Sequence, residues 1–289
     1  MSYLISDKYK EWEQLCEQRF RKLKQNEEKL NSFFIDLYDI ADELDPQVND
    51  SDITVRRAEL QREIKSLISY AVGCIFGRYS LDREGLCFAG GKWDSSAYKT
   101  IIPCLDNVMP VNDMESGLTA AVIDFIEKVY GSDTLEENLK FIAEALGNSS
   151  DSRKTLHDYL QKSFFTDHSK IYKNRPIYWQ FTSGRKGAFR AVMYIHRYDD
   201  KLLSVLEKKY SIPYHAKLKD ELHKLSEEYV SAKGSEKNKL RRDMSRMQTL
   251  LLEMEGFMHK LHEMAESRIK LDLDDGIKAN YEKLKDILI

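Results

Sequence analysis

Apolar positions recur at helical spacing over most of the chain. Between residues 7 and 44, Trp12, Leu15, Phe20, Leu23, Leu30, Phe33, Phe34, Leu37, Ala41 and Leu44 follow one another mostly at three- and four-residue steps. This spacing predicts a long amphipathic helix, ended by Pro46 and the polar QVNDSD stretch. A second helix is predicted over about 55–79, its buried face marked by Leu60, Ile64, Leu67, Ile68, Ala71, Val72, Ile75 and Phe76. Residues 80–116 interrupt the pattern: Gly85, Gly90 and Gly91 punctuate short apolar runs, and Pro103 and Pro110 bracket CLDNVM. Loops and a few short strands are expected there. Helical spacing resumes over 117–130, 133–146 and 152–166. Asp133 and Glu136 are placed as a capping box for the second of these, and Gly147 as its C-cap.

Further along, Pro176 forces Arg175 to be extended, and IYWQF after it reads as a strand. Ser183-Gly184 reads as a turn. Residues 186–198 then show helical spacing through Phe189, Val192, Met193 and Ile195 or His196. Leu202, Val205 and Leu206 predict a helix broken near Pro213. Leu218, Leu222, Leu225 and Tyr229 step by four, three and four, and after Lys233-Gly234-Ser235 the series Leu240, Met244, Met247, Leu251, Met254, Met258, Leu261, Ala265 alternates four and three. Two such helices predict an antiparallel coiled-coil hairpin whose tip is basic (Lys237, Lys239, Arg241, Arg242, Arg246). The expected fold is mainly α. It comprises a multi-helix domain over 1–200 with a small irregular or β insertion at 80–116, the hairpin over 201–270 and a tail over 271–289.

Composition narrows the class. A chain of 289 residues with only 13 Gly and 5 Pro is helix-rich. No apolar run approaches membrane-spanning length, and the N-terminal residues are charged and amphipathic rather than leader-like. Cys16, Cys74, Cys87 and Cys104 are far apart and form no CxxC, as expected of reduced thiols in a cytoplasmic protein rather than a zinc site. The net charge of −3 conceals segregation. Residues 1–50 carry −5 and residues 103–151 carry −8, whereas residues 152–198 carry +8.

Known catalytic motifs are missing: GxxxxGK[ST], HExxH, GxSxG and GxGxxG do not occur. The tail LDLDDGIKANYE places Leu271 where a calcium loop requires a carboxylate, so it reads as a capped turn. His259 and His262 lack an acid at a supporting metal-site spacing between them, and the methionines of the last long helix read as core. No catalytic, cofactor-binding or metal-binding residue is assigned.

One block stands out. From His168 to Tyr198, HSKIYKNRPIYWQFTSGRKGAFRAVMYIHRY contains no Asp or Glu, where the chain average predicts about five. It holds seven cations, Lys170, Lys173, Arg175, Arg185, Lys186, Arg190 and Arg197, and seven aromatics, Tyr172, Tyr178, Trp179, Phe181, Phe189, Tyr194 and Tyr198. Cations neutralise phosphates and aromatics can stack on bases, so the block reads as a DNA-contacting surface, with the aromatics mostly serving the core. Asn174-Arg175-Pro176-Ile177-Tyr178 faintly resembles the Asn-Pro-Pro-Tyr signature of amino-group DNA methyltransferases. That signature folds around one flipped base, and here Arg175 separates Asn174 from a single Pro.

RPIYWQFTSGRKGAFRAVMYIHRY resembles the corresponding segment of the PglX family, adenine-specific DNA methyltransferases of BREX phage-defence systems. NEEKLNSFFIDLYDIADEL, VRRAELQREIKSLISYAVGCIFGRYSLDREGLCFAGGKWD and IKLDLDDGIKANYEKL are similar to the same family in the same order. The resemblance covers nearly the whole chain but only the C-terminal portion of the family. It implies a non-catalytic, DNA-contacting and scaffolding region, with S-adenosylmethionine bound by a catalytic part not matched here. Double-stranded DNA is the implied partner. A different reading, a protein-interaction module, has the helical hairpin docking other defence-system subunits.

Overall fold

The computed structural model describes residues 3–148 and 150–289. In chain order the helices and strands are α1 (Ile5–Tyr38), α2 (Leu60–Ile75), β1 (Val108–Pro110), α3 (Leu118–Tyr130), α4 (Leu135–Leu146), α5 (Ser152–Lys162), α6 (Phe164–Ile171), β2 (Tyr178–Thr182), β3 (Arg190–Tyr194), α7 (Leu202–Val205), α8 (Ile212–Ser231), α9 (Gly234–Glu266) and α10 (Ile277–Leu284). The fold is mainly α. Two compact units form, residues 1–68 with 126–152, and residues 69–125 with 153–289. Among the described residues, no helix is long and apolar enough to cross a membrane.

In the first unit, α1 buries Ile5, Cys16, Phe20 and Ile35. Its first turn is tied to α4, where Asn138 accepts the Ile5 N–H at 2.8 Å and donates to the Tyr3 carbonyl at 3.0 Å. The helix ends at Tyr38 rather than 44, because Asp39 turns left-handed (φ 54°) and returns its N–H to Asp36. Helix α2 begins at Leu60 rather than 55. Ahead of it, Arg57 folds back onto Glu17 (2.8 Å) and Asp50 (3.0 Å), with its guanidinium 3.8 Å above the Phe20 ring. The Asp133–Glu136 capping box does not form. Asp133 lies within a 3₁₀ turn, and Thr134 at the N-cap turns its hydroxyl back to the Tyr130 carbonyl (2.8 Å). Gly147 does close α4, at φ 105°.

The second unit is built on a three-stranded antiparallel sheet in the order β1-β3-β2. Register is set by Val108↔Met193 and by Trp179↔Met193 on either side of the central strand. The predicted helix over 186–198 is therefore wrong: residues 190–194 are β3, followed by a 3₁₀ turn over 195–197. Ala191, Val192, Met193 and Tyr194 are all fully buried. A strand covered on both faces loses its alternation of apolar and polar positions, leaving a continuous apolar run that also fits a helix.

The predicted helix over 152–166 divides at Ser163 into α5 and α6, which places Phe164 and His168 in the core. The expected break near Pro213 is absent. A π-helical turn over Leu206–Ser211 joins α7 to α8, and Pro213 lies in the first turn of α8. The widened turn gives room to the proline ring, which has no N–H to donate to the helix. His262 on α9 pairs with buried Glu207 of that turn at 2.8 Å, a partner far from it in sequence. Helices α8 and α9 pack on each other, α9 burying Leu240, Leu251, Met254, Phe257, Leu261 and Ala265. Beyond α9, Asp272 caps a short turn through the Asp274 N–H, as the tail's spacing suggested. The last residues then lie along β2. The Thr182 N–H donates to Ile287 (2.9 Å), and the Ile289 N–H donates to Gln180 (3.1 Å).

Candidate nucleic-acid interface

The acid-free block becomes the end of α6, the hairpin β2–β3 and the turn after it. Helix α6 closes through two left-handed residues, Lys173 (φ 52°) and Asn174 (φ 60°), and the Asn174 N–H donates to Ser169 at 2.8 Å. This brings Lys170, Lys173 and Arg175 together on one exposed corner. Arg185 and Lys186 are exposed at the tip of the β2–β3 turn. Strand β2, about 13 Å long, lies between the two groups in the chain. None of these five side chains makes an ion pair or hydrogen bond with a described residue.

The tip is shaped from a distance by Glu253 of α9. Its carboxylate accepts from the Ser183 hydroxyl (2.8 Å) and from the N–H groups of Lys186 (2.7 Å) and Ala188 (3.0 Å). Gly184 is required here, since at φ 143° a Cβ would stand 2.8 Å from that carboxylate. Burial pushes the Glu253 pKa up, but these donors outweigh it and hold the group below its ordinary 4.5. Because the folded pKa is the lower one, the stabilisation is complete above 4.5 and disappears as pH falls through the folded value. Glu253→Ala should lower stability by about 2–3 kcal/mol at pH 7, with the difference shrinking below pH 4. Urea denaturation at both pH values checks this.

Arg190 and Arg197 are placed differently. The Arg190 Nη1 donates to the Gln161 carbonyl (2.7 Å). The Arg197 guanidinium donates to the carbonyls of Phe76 (3.1 Å), Cys104 (2.9 Å) and Leu105 (3.3 Å), and lies 4.4 Å over the Trp93 ring. Both are cations that hold backbone. Tyr178, Trp179, Phe181, Phe189 and Tyr194 are buried, so five of the seven aromatics of the block are core, while Tyr172 and Tyr198 are half-buried. Burial raises the thiols of Cys74 and Cys104 to about 11, far from nucleophilic use at neutral pH.

Beside the first cationic corner a cleft of about 860 Å³ opens between α6, β2 and α10. Trp179 and Tyr281 meet there edge to face, ring centres 6.1 Å apart. Arg175 and Lys278 also line it, as do Gly276 and Ile277 at the start of α10. Sequence reasoning marked Arg175 but missed the cleft, because α10 begins 95 residues after β2 ends.

No family model matches the chain. It is 41% identical over 290 residues to the adenine-specific methyltransferase PglX of Lacticaseibacillus casei (strain Zhang), an alignment covering 98% of this chain. This chain corresponds to a region of the PglX methyltransferases. It is also 38% identical over 259 residues to the adenine-specific methyltransferase BrxX of Escherichia coli O9:H4 (strain HS), covering 84% of the chain. The chain spans 24% and 21% of these two relatives' own lengths. The resemblance to PglX thus extends through both units and includes the whole acid-free block.

Proposed function

We propose that this PglX-type region grips double-stranded DNA by its phosphates, as the non-catalytic C-terminal part of an adenine-specific methyltransferase of a BREX phage-defence system. The reading is carried by five exposed cations without a partner among the described residues, Lys170, Lys173 and Arg175 at and after the end of α6 and Arg185 and Lys186 in the β2–β3 turn. Unpaired cations at the surface give up no internal contact on meeting phosphate, and they release counterions as they do so. Contacts of this kind position a duplex without reading its sequence, so binding by the region is sequence-tolerant.

No S-adenosylmethionine-binding motif is read in this sequence. On this reading methyl transfer takes place in the part of the longer relatives that this chain does not cover. The role of this region is to hold the duplex while that chemistry occurs elsewhere.

The test is duplex binding across a salt series. Arg175→Glu/Arg185→Glu/Lys186→Glu should weaken binding at least tenfold at 50 mM salt and make the log–log salt slope shallower by about three. Equal affinity of variant and parent, or no binding by the parent at low salt, would show the proposal to be wrong.

A further inference from the structure

We propose that helix α9 carries the duplex grip beyond the hairpin turn, through a row of exposed cations, Lys239, Arg242 and Arg246, that meets successive phosphates. This rests on the duplex reading above and adds a second element to it. The row starts from Glu253, whose carboxylate accepts the Lys186 and Ala188 N–H groups and so fixes the β2–β3 turn against one line of the helix. Arg246, Arg242 and Lys239 lie seven, eleven and fourteen positions before Glu253. At about 3.6 residues per turn, each returns to within about 40° of that line. At about 1.5 Å per residue, they stand about 10, 16 and 21 Å along the helix from Glu253. Arg185 and Lys186 in the turn and the three cations of α9 therefore share one side of the helix, all within one compact unit.

The side chains of the row are placed for a partner outside the chain. Lys239, Arg242 and Arg246 are exposed, and none makes an ion pair or hydrogen bond with a described residue. A solvated helix face in this protein looks different: α1 pairs Lys8 with Glu11, Arg21 with Glu17 and Lys24 with Glu28, each one turn away. Residues 237–252 hold five cations, Lys237, Lys239, Arg241, Arg242 and Arg246, and one acid, Asp243. Asp243 is half-buried and forms an ion pair with none of them. An excess of cations left without internal partners raises the local potential that draws a polyanion. A duplex suits the row better than an acidic protein face, because phosphates repeat evenly along a strand. The three cations are four and three residues apart, so three successive turns of the helix each present one. The row and its foot cover about 21 Å, roughly six nucleotide steps at a rise of about 3.4 Å. Two of the three heads are guanidinium groups, whose forked donors match phosphate oxygens.

Duplex binding by the full chain is measured across the same salt series. Lys239→Gln/Arg242→Gln/Arg246→Gln should weaken binding at least tenfold at 50 mM salt and make the log–log slope shallower by about three. The three side chains are exposed, so the melting temperature of this variant should match the parent's. Two adjacent arginines give the finer comparison. Arg242→Gln should cost severalfold in affinity and about one unit of slope, whereas Arg241→Gln, turned about 100° around the helix, should change affinity less than twofold. This pair decides the matter should the triple variant fold poorly. Weaker binding by the Arg175/Arg185/Lys186 variant together with parental affinity in the α9 variant would leave the duplex reading standing and overturn the row. The same result is expected if the α9 cations meet a protein instead. Equal losses from Arg241→Gln and Arg242→Gln would overturn the row as well, since bulk charge rather than placement would then set the affinity. A parent that binds no duplex at low salt would remove both readings.

Discussion

His168→Ala is expected to lose about 3–4 kcal/mol of stability at neutral pH, the largest single effect among the polar residues of this fold. The ring is 2% exposed, and its Nε2 accepts the N–H groups of Ile177 (3.1 Å) and Tyr178 (3.2 Å) where the chain turns into β2. It also lies against Tyr172 and Tyr178, with ring centres 4.6 and 4.7 Å away. Alanine leaves two buried donors unsatisfied and a void among aromatic rings. Accepting at Nε2 requires the neutral ring with its proton on Nδ1. Burial, with the nearby Arg78 charge, holds the pKa down to about 4. The folded pKa is thus below the unfolded value near 6.5, and the unfolded chain binds the extra proton between them. Stability should therefore fall by up to roughly 3 kcal/mol as pH drops from 6.5 to 4, and His168→Ala should remove that slope. Urea denaturation at pH 7.5 and 5 measures both effects. A loss under 1 kcal/mol, or an unchanged slope, would contradict the assignment.

Arg197→Ala is the second large effect, and it separates charge from function. The guanidinium satisfies three carbonyls and covers the Trp93 ring, so its removal should cost about 2–4 kcal/mol. Lysine, a point donor, should recover less than half of that. Duplex affinity measured well below the melting temperature should change less than twofold. A large fall in affinity with little change in stability would return Arg197 to the DNA surface.

These two residues show what could be read from the chain and what could not. Long amphipathic segments such as α1 and α9 were legible because helical spacing survives when only one face is buried. Strand β2 was legible because Pro176 and the β-branched and aromatic run after it both favour extension. Strand β3 was not, because burial on both faces erased its alternation. Composition found the cationic block but could not divide it. Arg175 faces water and Arg197 binds carbonyls, yet both are simply arginines in an acid-free window. Glu253, which shapes the turn bearing Arg185 and Lys186, left no local signal because its role depends on a segment distant in sequence.

The pairing of the last residues with β2 has a consequence for how copies of this chain meet. A sheet edge with free N–H and carbonyl groups is a template on which another chain can add a strand. Here one outer edge is occupied by Ile287, Leu288 and Ile289. The opposite edge, β1, is only three residues long and ends in Pro110, which has no N–H to donate. Both sides of the sheet are thus short or already paired, which leaves little template for a strand from another molecule.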